Sequence, residues 1–564
     1  MLVLTDRPGR DGMCVTALEP KGHTSLQLYD YVLIRPPGES SRGWIGQIIK
    51  ANLNIAKLTN DPFDPTLVQA LILKQQIPDV EMAETMEAWE IRLLGEYDGQ
   101  RLSTLRRRPD PASSVTRLGR EDTIRILQLP KYEEQQGNVI GYLLNAEDVP
   151  LCVRRPVFRH HIMISGGTGS GKSNTGANLV YQAVRMGFTV FLYDAKPDYT
   201  KINQPNSDST VQEIWEALKR YGLKPAGEQS LTRVAIYGIG RAHANKYQGY
   251  NVILGFRASD FEPEWLASLF FNPKSDLNQY EEFVNICREL RDTKQHYTLE
   301  DVLEVVEERS EEEETKKGEG KKGKSIHRLT ARAIISKVNR RRKYMQWLDC
   351  VEKEVEEAEE ESRQEGPRQA VLPFEEITQP VPTPKKPRTE PYKPKNFIGK
   401  SQVVYIDLAD VDSQSYALFL GYFLRENQRY LANNSQARTS GVVEFVDEAH
   451  RIFTNDTRYS DLLEDAFNRT MMEGRSLNHG VIISLQNASQ VPSSVLNNIN
   501  THIVMRQNNR DVARAATQTM GEGFADQSIG LAPGQALCQM FGSTATVLAQ
   551  MAPSPYELER TDNV

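Results

Sequence analysis

The chain has 564 residues, too many for a single hydrophobic core, so we predict several domains. A hydrophobic fraction of 39% and a charged fraction of 25% are typical of globular proteins, and a net charge of −7 excludes a strongly basic, nucleic-acid-type composition. No apolar run reaches the ~18 residues of a membrane span, and the first residues lack a signal-peptide core, so we expect a cytoplasmic protein without a membrane partner. Five dispersed cysteines indicate free thiols and no zinc site.

Residues 1–150 contain short alternating apolar runs separated by turn residues. Tyr31 to Arg35 and Trp44 to Ile49 predict two strands joined by a turn, and Glu90 to Tyr97 predicts a third. Helical periodicity is weak in this part of the chain. We therefore predict an N-terminal β-barrel.

Residues 151–255 and 397–564 show an α/β pattern with continuous apolar runs, which are typical of parallel strands covered on both faces. Six runs predict one mostly parallel, doubly wound sheet. They begin at His161, Thr189, Val403, Val442, Gly480 and His502.

Residues 256–396 interrupt this pattern, and we predict a helical insertion there. Helical periodicity covers four segments: 264–271, 276–290, 299–308 and 329–348. The acidic and basic stretch 311–324 and the Pro- and Lys-rich stretch 380–395 predict disordered charged loops at the edges of this insertion.

One motif carries the first chemical prediction. Gly166-Gly167-Thr168-Gly169-Ser170-Gly171-Lys172-Ser173 fits the phosphate-binding pattern G-x-x-x-x-G-K-[ST], between a predicted strand and a predicted helix that starts at Asn174. Backbone N–H groups of such a loop surround a polyphosphate, the lysine can reach the β- and γ-phosphates, and the serine can ligate Mg²⁺. We predict a P-loop NTPase of the RecA-like (ASCE) type that binds ATP or GTP through residues 166–174.

Polar residues at three other strand ends complete a hydrolytic site. Asp447 and Glu448 follow an apolar run, and we assign Asp447 to Mg²⁺ and Glu448 to the general base that polarises the attacking water. Gln486 ends another strand, where its amide can sense the γ-phosphate or hold the water. Asp194 ends the strand after the loop helix, and we predict that it helps to organise the metal or water shell.

Phosphoryl transfer also needs positive charge beyond the metal ion, often from an arginine of a neighbouring subunit. Arg475 precedes the strand that ends in Gln486, and Arg159, Arg506 and Arg510 are further candidates. An ordinary surface salt bridge is an equal reading for each of these arginines.

These residues together resemble the HerA branch of the HerA/FtsK superfamily, over about 150–255 and 400–555. The resemblance rests on the loop with its preceding strand, on the strand ending in Asp447 and Glu448, and on the segment from Gly474 to Gln486. It implies a hexameric ring that hydrolyses ATP with Mg²⁺ and translocates double-stranded DNA, like a helicase. It also implies that Arg475 acts on the neighbouring subunit and that Arg159 is a second catalytic arginine.

The family resemblance also suggests partners. Such rings work with a separate nuclease, and related rings in anti-phage defence assemble with a nuclease or an NAD-consuming effector, so we expect such a protein to dock on the N-terminal barrel. Two alternatives stay open: a nucleotide-regulated scaffold ring that activates an effector in antiviral defence, and a conjugative-transfer-type ATPase.

DNA contacts are not identified by the sequence. Arg106 to Arg108 lie in a predicted loop, and several arginines and lysines decorate the predicted helix over 328–343. A solvated helix face that offsets nearby acids is as good a reading of this charge as a DNA surface.

Overall fold

The structure is a computed structural model, and it describes residues 2–4, 14–20, 26–38, 42–50, 86–110, 113–133, 138–144, 146–316, 326–350, 389–453, 460–521 and 523–559. Of the predicted charged loops, 317–324 and 380–388 lie outside the described residues, whereas residues 311–316 are helical, which corrects the loop prediction there.

The N-terminal part is an antiparallel β-sheet curled into a barrel, as predicted. Its strands are β1 (Leu2–Leu4), β2 (Cys14–Pro20), β3 (Tyr31–Arg35), β4 (Gly43–Lys50), β5 (Met86–Tyr97), β6 (Leu102–Ser103) and β7 (Ser114–Arg117). The pairings run β2-β1-β7-β3-β4-β5, and β5 pairs again with β2, so the ring closes, while β6 extends β5 as a hairpin. Alternate side chains such as Val32, Ile34, Ile91 and Leu93 fill the interior.

The second sheet has 13 strands in the order β14-β13-β12-β15-β11-β16-β17-β10-β18-β19-β20-β8-β9. Its strands are β8 (Val139–Leu143), β9 (Ala146–Cys152), β10 (Ile162–Ser165), β11 (Thr189–Asp194), β12 (Leu231–Ile236), β13 (Val252–Leu254), β14 (Thr389–Glu390), β15 (Gln402–Asp407), β16 (Val442–Val446), β17 (His479–Leu485), β18 (Thr501–Met505), β19 (Gln535–Gln539) and β20 (Val547–Met551). The strands from β14 to β18 are parallel, and the last four are antiparallel. The six predicted strands form one contiguous block, β15-β11-β16-β17-β10-β18, which confirms the predicted fold class.

Helices cover both faces of this sheet. They are α1 (Arg120–Ile126), α2 (Arg155–Phe158), α3 (Lys172–Arg185), α4 (Gln212–Lys219), α5 (Gly240–Ala244), α6 (Pro263–Phe270), α7 (Leu277–Thr293), α8 (Leu299–Lys316), α9 (Arg328–Arg342), α10 (Ser413–Asn433), α11 (Ser435–Ser440), α12 (Ser460–Leu477), α13 (Ser493–Leu496), α14 (Arg510–Ala516) and α15 (Phe524–Ile529). Successive residues of a strand point to opposite faces. Val443 and Phe445 accordingly join one core with α3, whereas Val442 and Val446 join the other core with α10. Burial on both faces explains why these strands are continuous apolar runs.

The boundary predicted at residue 150 is corrected by the sheet. It falls within β9, which pairs with β8, and β8 pairs with β20 next to the parallel block. The large sheet therefore begins before residue 150.

The predicted insertion packs into the main core. Phe256, at the start of the insertion, stacks on Phe419 of α10 at a ring-centroid distance of 5.3 Å, and Trp347, which follows α9, meets the same ring edge-on at 4.9 Å. Gly421 of the same helix lies against the Trp265 ring, where a Cβ would come within 2.2 Å. Helices α6 to α9 thus share the core of the nucleotide domain. Among the described residues, no helix combines the length and the apolar character needed to cross a bilayer.

Candidate nucleotide-hydrolysis site

The phosphate loop connects β10 to α3 at the carboxyl edge of the sheet. Gly169 and Gly171 have φ angles of +71° and +105°, a left-handed region that side chains with a Cβ avoid. These turns wrap the loop around the first turn of α3, whose unpaired N–H groups and helix dipole favour an anion there. The loop therefore has the backbone shape that the motif predicts.

Lys172 projects into the loop from the first residue of α3. Its Nζ donates to the Gly167 carbonyl at 3.1 Å, and the residue is only 8% exposed. Burial lowers the pKa of Lys172, and this effect outweighs the charges of Glu448 and Asp447, which raise that pKa. A largely desolvated ammonium beside a loop of N–H donors has the chemistry that suits a phosphate.

Asp447 follows β16 and lies beneath the loop. Burial, then the nearby carboxylates of Glu448 and Asp198, raises the pKa of Asp447 to about 7. Such a group of carboxylates is unfavourable without a cation, and carboxylate and hydroxyl oxygens are the ligands that Mg²⁺ prefers. The donor set of Asp447, Asp198 and Ser173 therefore fits a magnesium ion.

Ser173 lies beside Asp198, not beside Asp194. Its Oγ donates to the Oδ2 atom of Asp198 at 2.9 Å. Asp194 is fully buried, where its Oδ2 accepts from the Tyr199 amide at 3.1 Å and from the Tyr405 hydroxyl at 2.9 Å. Burial raises the pKa of Asp194 well above its ordinary value, with the charge of Asp447 adding to the effect. The part that the sequence prediction gave to Asp194 is therefore corrected: Asp198, four residues further on, is the acid that reaches the cleft.

Glu448 lies at the mouth of the cleft, held by several donors. Its Oε1 accepts from Lys196 and from Gln486, both at 2.9 Å, and its Oε2 lies 3.4 Å from the Nε2 atom of His450. Burial raises the pKa of Glu448. The hydrogen bond and charge of Lys196, the charge of His450 and the hydrogen bond of Gln486 lower it by more, so the pKa of Glu448 lies below its ordinary value. The predicted proximity of Glu448 and Gln486 is present in the structure, and Lys196 is an additional neighbour.

The cleft is open and its lining is mostly polar. Of the predicted nucleotide-binding residues, Thr168, Gly169, Gly171, Lys172, Ser173 and Asn174 line it, and Gly166, Gly167 and Ser170 lie behind them. Sequence reasoning missed the remaining polar lining residues, which are Lys196, Asp198, Asn206, Asp208, Glu557 and Glu559. Lys196 and Asp198 follow β11 at the carboxyl edge of the sheet, a position that could have identified them.

The last described residues form one wall of this cleft. The Ser554 amide donates to the Asn174 side chain at 3.1 Å, and the Glu559 amide donates to the Asp198 carbonyl at 2.9 Å. Glu559 also forms an ion pair with Lys201 at 3.1 Å. This tail segment is nearly 400 residues from the phosphate loop in sequence, so no local sequence pattern predicts that it lines the cleft.

Arg475 and Arg159 lie at the opposite edge of the sheet. Arg475 is in the last turn of α12, just before β17 starts, and Arg159 precedes β10. Both arginines lie near His160. Burial lowers the pKa of His160, and the charges of Arg475 and Arg159 lower it further. The seven residues of β17 span about 23 Å, so neither arginine reaches the phosphate loop of its own chain.

The other two arginine candidates lie on the loop side of the sheet. The Arg506 carbonyl accepts from the Gly167 amide at 2.8 Å, so this residue supports the loop through its backbone. Arg510 forms an exposed ion pair with Asp526 at 3.1 Å.

A phosphate loop on a parallel sheet, with a neighbouring strand that ends in Asp-Glu, defines a P-loop NTPase. The sequence model of the family described as "Helicase HerA, central domain" matches residues 138–427, which is more than half of the chain. The chain therefore belongs to the HerA helicase family, which confirms the resemblance seen in the sequence. The model described as "Zonular occludens toxin (Zot)" matches residues 424–514.

Several solved structures are similar. VirB4 of Thermoanaerobacter pseudethanolicus is 13% identical with a TM-score of 0.43, over 75% of this chain and 97% of that one. Plasmid coupling protein TrwB in complex with ADP and Mg²⁺ is 8% identical with a TM-score of 0.44, over 75% and 92%. The genome packaging NTPase B204 from Sulfolobus turreted icosahedral virus 2 is 16% identical with a TM-score of 0.22, over 28% and 71%. No curated protein matches the chain.

The contrast between Asp198 and Asp194 yields a binding prediction. Asp198→Asn removes a charge beside Ser173, and we expect it to weaken Mg²⁺-dependent ADP binding by about tenfold or more. Asp194→Asn replaces a buried acid that already favours its neutral form, so we expect unchanged affinity. Calorimetric titration with ADP, with and without Mg²⁺, measures both. Weaker binding by Asp194→Asn together with normal binding by Asp198→Asn would restore the original assignment.

Proposed function

We propose that this chain hydrolyses ATP with Mg²⁺ as a subunit of a hexameric ring that translocates or remodels double-stranded DNA. One observation carries the proposal: Lys172, Glu448 and Gln486 meet in one cleft, whereas Arg159 and Arg475 lie at the far edge of the same sheet. The cleft thus has the other residues of a hydrolytic site, but the arginines lie elsewhere in the same chain. This arrangement suits a ring in which the arginines of one subunit complete the site of its neighbour.

Each cleft residue has a role in the proposed reaction. The loop N–H groups and Lys172 hold the phosphates, and Ser173, Asp447 and Asp198 would hold Mg²⁺, which neutralises charge on the phosphates when bound. The oxygen of a water molecule bonds to the γ-phosphorus while the bond to the β–γ bridging oxygen breaks. Glu448 accepts the proton of that water, and Gln486 orients the base beside the γ-phosphate.

Arg475 and Arg159 serve the neighbouring subunit in this proposal. Arg475 is exposed, and its guanidinium has no hydrogen-bond or ion-pair partner within the part of the chain that the structure describes. Arg159 is partly buried, with an Nε atom that lacks a partner among the same residues. The exposed guanidinium of Arg475 is available to a phosphate bound by another copy, and Arg159 lies near it at the same edge.

Membership of the HerA family is what supports DNA movement and an effector partner in this proposal. Docking of a nuclease or of an NAD-consuming effector on the N-terminal barrel, and a cytoplasmic location, stay predictions. The basic helix α9 gives little support to a DNA surface, since Lys337 pairs with Asp276, Arg342 pairs with Glu300, and Arg341 donates to the Leu269 carbonyl.

Substitutions in the cleft test hydrolysis. We expect Lys172→Ala to abolish turnover by weakening ATP binding, and Glu448→Gln to lower kcat by about a hundredfold or more while ATP still binds. Phosphate release with and without double-stranded DNA measures both, with Lys219→Ala on the exposed face of α4 as the control. Wild-type turnover in Glu448→Gln would contradict the assignment of the base. Very slow hydrolysis that DNA does not stimulate would favour the scaffold alternative.

Native mass measurement tests the ring. We expect Glu448→Gln protein with ATP to assemble as six chains. In this proposal, ATP bound in the cleft of one subunit contacts the arginines of the next and so stabilises the ring. Arg475→Ala should assemble at saturating protein concentration but lose turnover. A monomer at working concentration in the presence of ATP would exclude the ring, and full turnover in assembled Arg475→Ala protein would exclude the role of this arginine.

A further inference from the structure

Lys196 lies in the cleft without a part in the reaction described above. It follows β11 by two residues, and the turn that begins there brings its side chain over the mouth of the cleft. Its Nζ lies 2.9 Å from the Oε1 atom of Glu448, and its side chain is 44% exposed, against 7% for Glu448. A half-exposed lysine therefore pairs with a nearly buried carboxylate.

The donors around Glu448 leave its two oxygens unequal. Oε1 accepts from both Lys196 and Gln486, so two donors that follow separate strands hold this oxygen in place. Among the described residues, the side chain in contact with Oε2 is that of His450, at 3.4 Å. Oε2 thus keeps a free lone pair, and it is the oxygen that can take a proton from water.

The backbone of Glu448 needs such a restraint. Its φ and ψ angles are +51° and +37°, a left-handed conformation that is uncommon for residues other than glycine. Residues in such conformations depend on their surroundings to keep them there. The hydrogen bonds from Lys196 and Gln486 to the Glu448 side chain supply part of that restraint, and they act on the carboxylate that must face the water.

We propose that Lys196 is a positioning residue for Glu448: it holds Oε1 so that Oε2 faces the attacking water. The inference rests on the proposed hydrolysis and names a residue for it that the phosphate-loop motif does not include. A different role, direct contact of Lys196 with the γ-phosphate, is the competing reading that the experiment separates.

Lys196→Met keeps most of the length of the side chain and removes its charged amino group. We expect kcat for ATP to fall about tenfold to a hundredfold, because a misdirected base loses alignment with its water. The affinity for a non-hydrolysable ATP analogue should not change, since Lys172 and the loop still hold the phosphates. Lys196→Arg should regain much of the lost kcat, because it restores a donor and a positive charge. Lys294→Met is the matched control, since Lys294 forms a half-exposed ion pair with Asp301 in the insertion.

The Glu448→Gln background gives the decisive comparison. If Lys196 acts through Glu448, then Lys196→Met causes no further fall in turnover once the base is gone. Unchanged kcat in the single variant, or weaker binding of the analogue in either background, would overturn the inference. Absence of Lys172-dependent turnover in the wild-type protein would instead overturn the proposed function itself, so the two failures are distinguishable.

Discussion

The site depends on the register of three adjacent parallel strands, β16, β17 and β10. Leu485 lies opposite Ser165, so β17 and β10 end together, and Val446 lies opposite Ile483, so β16 ends two residues earlier. The phosphate loop, the pair Asp447 and Glu448, and Gln486 each follow directly. Since a shift by one residue would turn these side chains to the other face, burial of both faces of the sheet fixes the site as firmly as it fixes the core.

The same sheet separates the cleft of a chain from its arginines, and α10 spans the distance between them. Near its start, Tyr416 donates to the Asp447 carbonyl at 3.0 Å, and near its end Gln428 donates to Glu473 at 2.7 Å, two residues before Arg475. The intervening 12 residues of helix cover about 18 Å. Between these contacts, buried Glu444 accepts from Asn427 at 3.0 Å and lies 2.7 Å from a nitrogen of His479. Helix α10 therefore contacts both the strand end that carries Asp447 and the helix that carries Arg475.

The sequence predicted the parts of the molecule that local pattern determines. Continuous apolar runs identified the central strands because strands buried on both faces carry few polar residues. The phosphate loop was recognisable because phosphate binding requires its glycines and its lysine. Lys196 and Asp198 belong to no recognised motif, so the sequence did not single them out. Asp194, which was singled out, is fully buried with its Oδ2 atom bound to the Tyr405 hydroxyl. Glu559 reaches the cleft only through tertiary folding of the tail, which no spacing in the sequence encodes.

Mixing two inactive variants tests most directly whether neighbouring chains complete one another's sites. Lys172→Ala protein lacks a working cleft but keeps Arg475, and Arg475→Ala protein keeps a working cleft but lacks the arginine. In a ring assembled from both, a cleft from the second variant next to an arginine from the first is intact. The account predicts that turnover, absent from either variant alone, returns at about a quarter of the wild-type level when equal amounts are co-assembled at random and neighbouring sites act independently. No recovery in rings shown to contain both chains would contradict it.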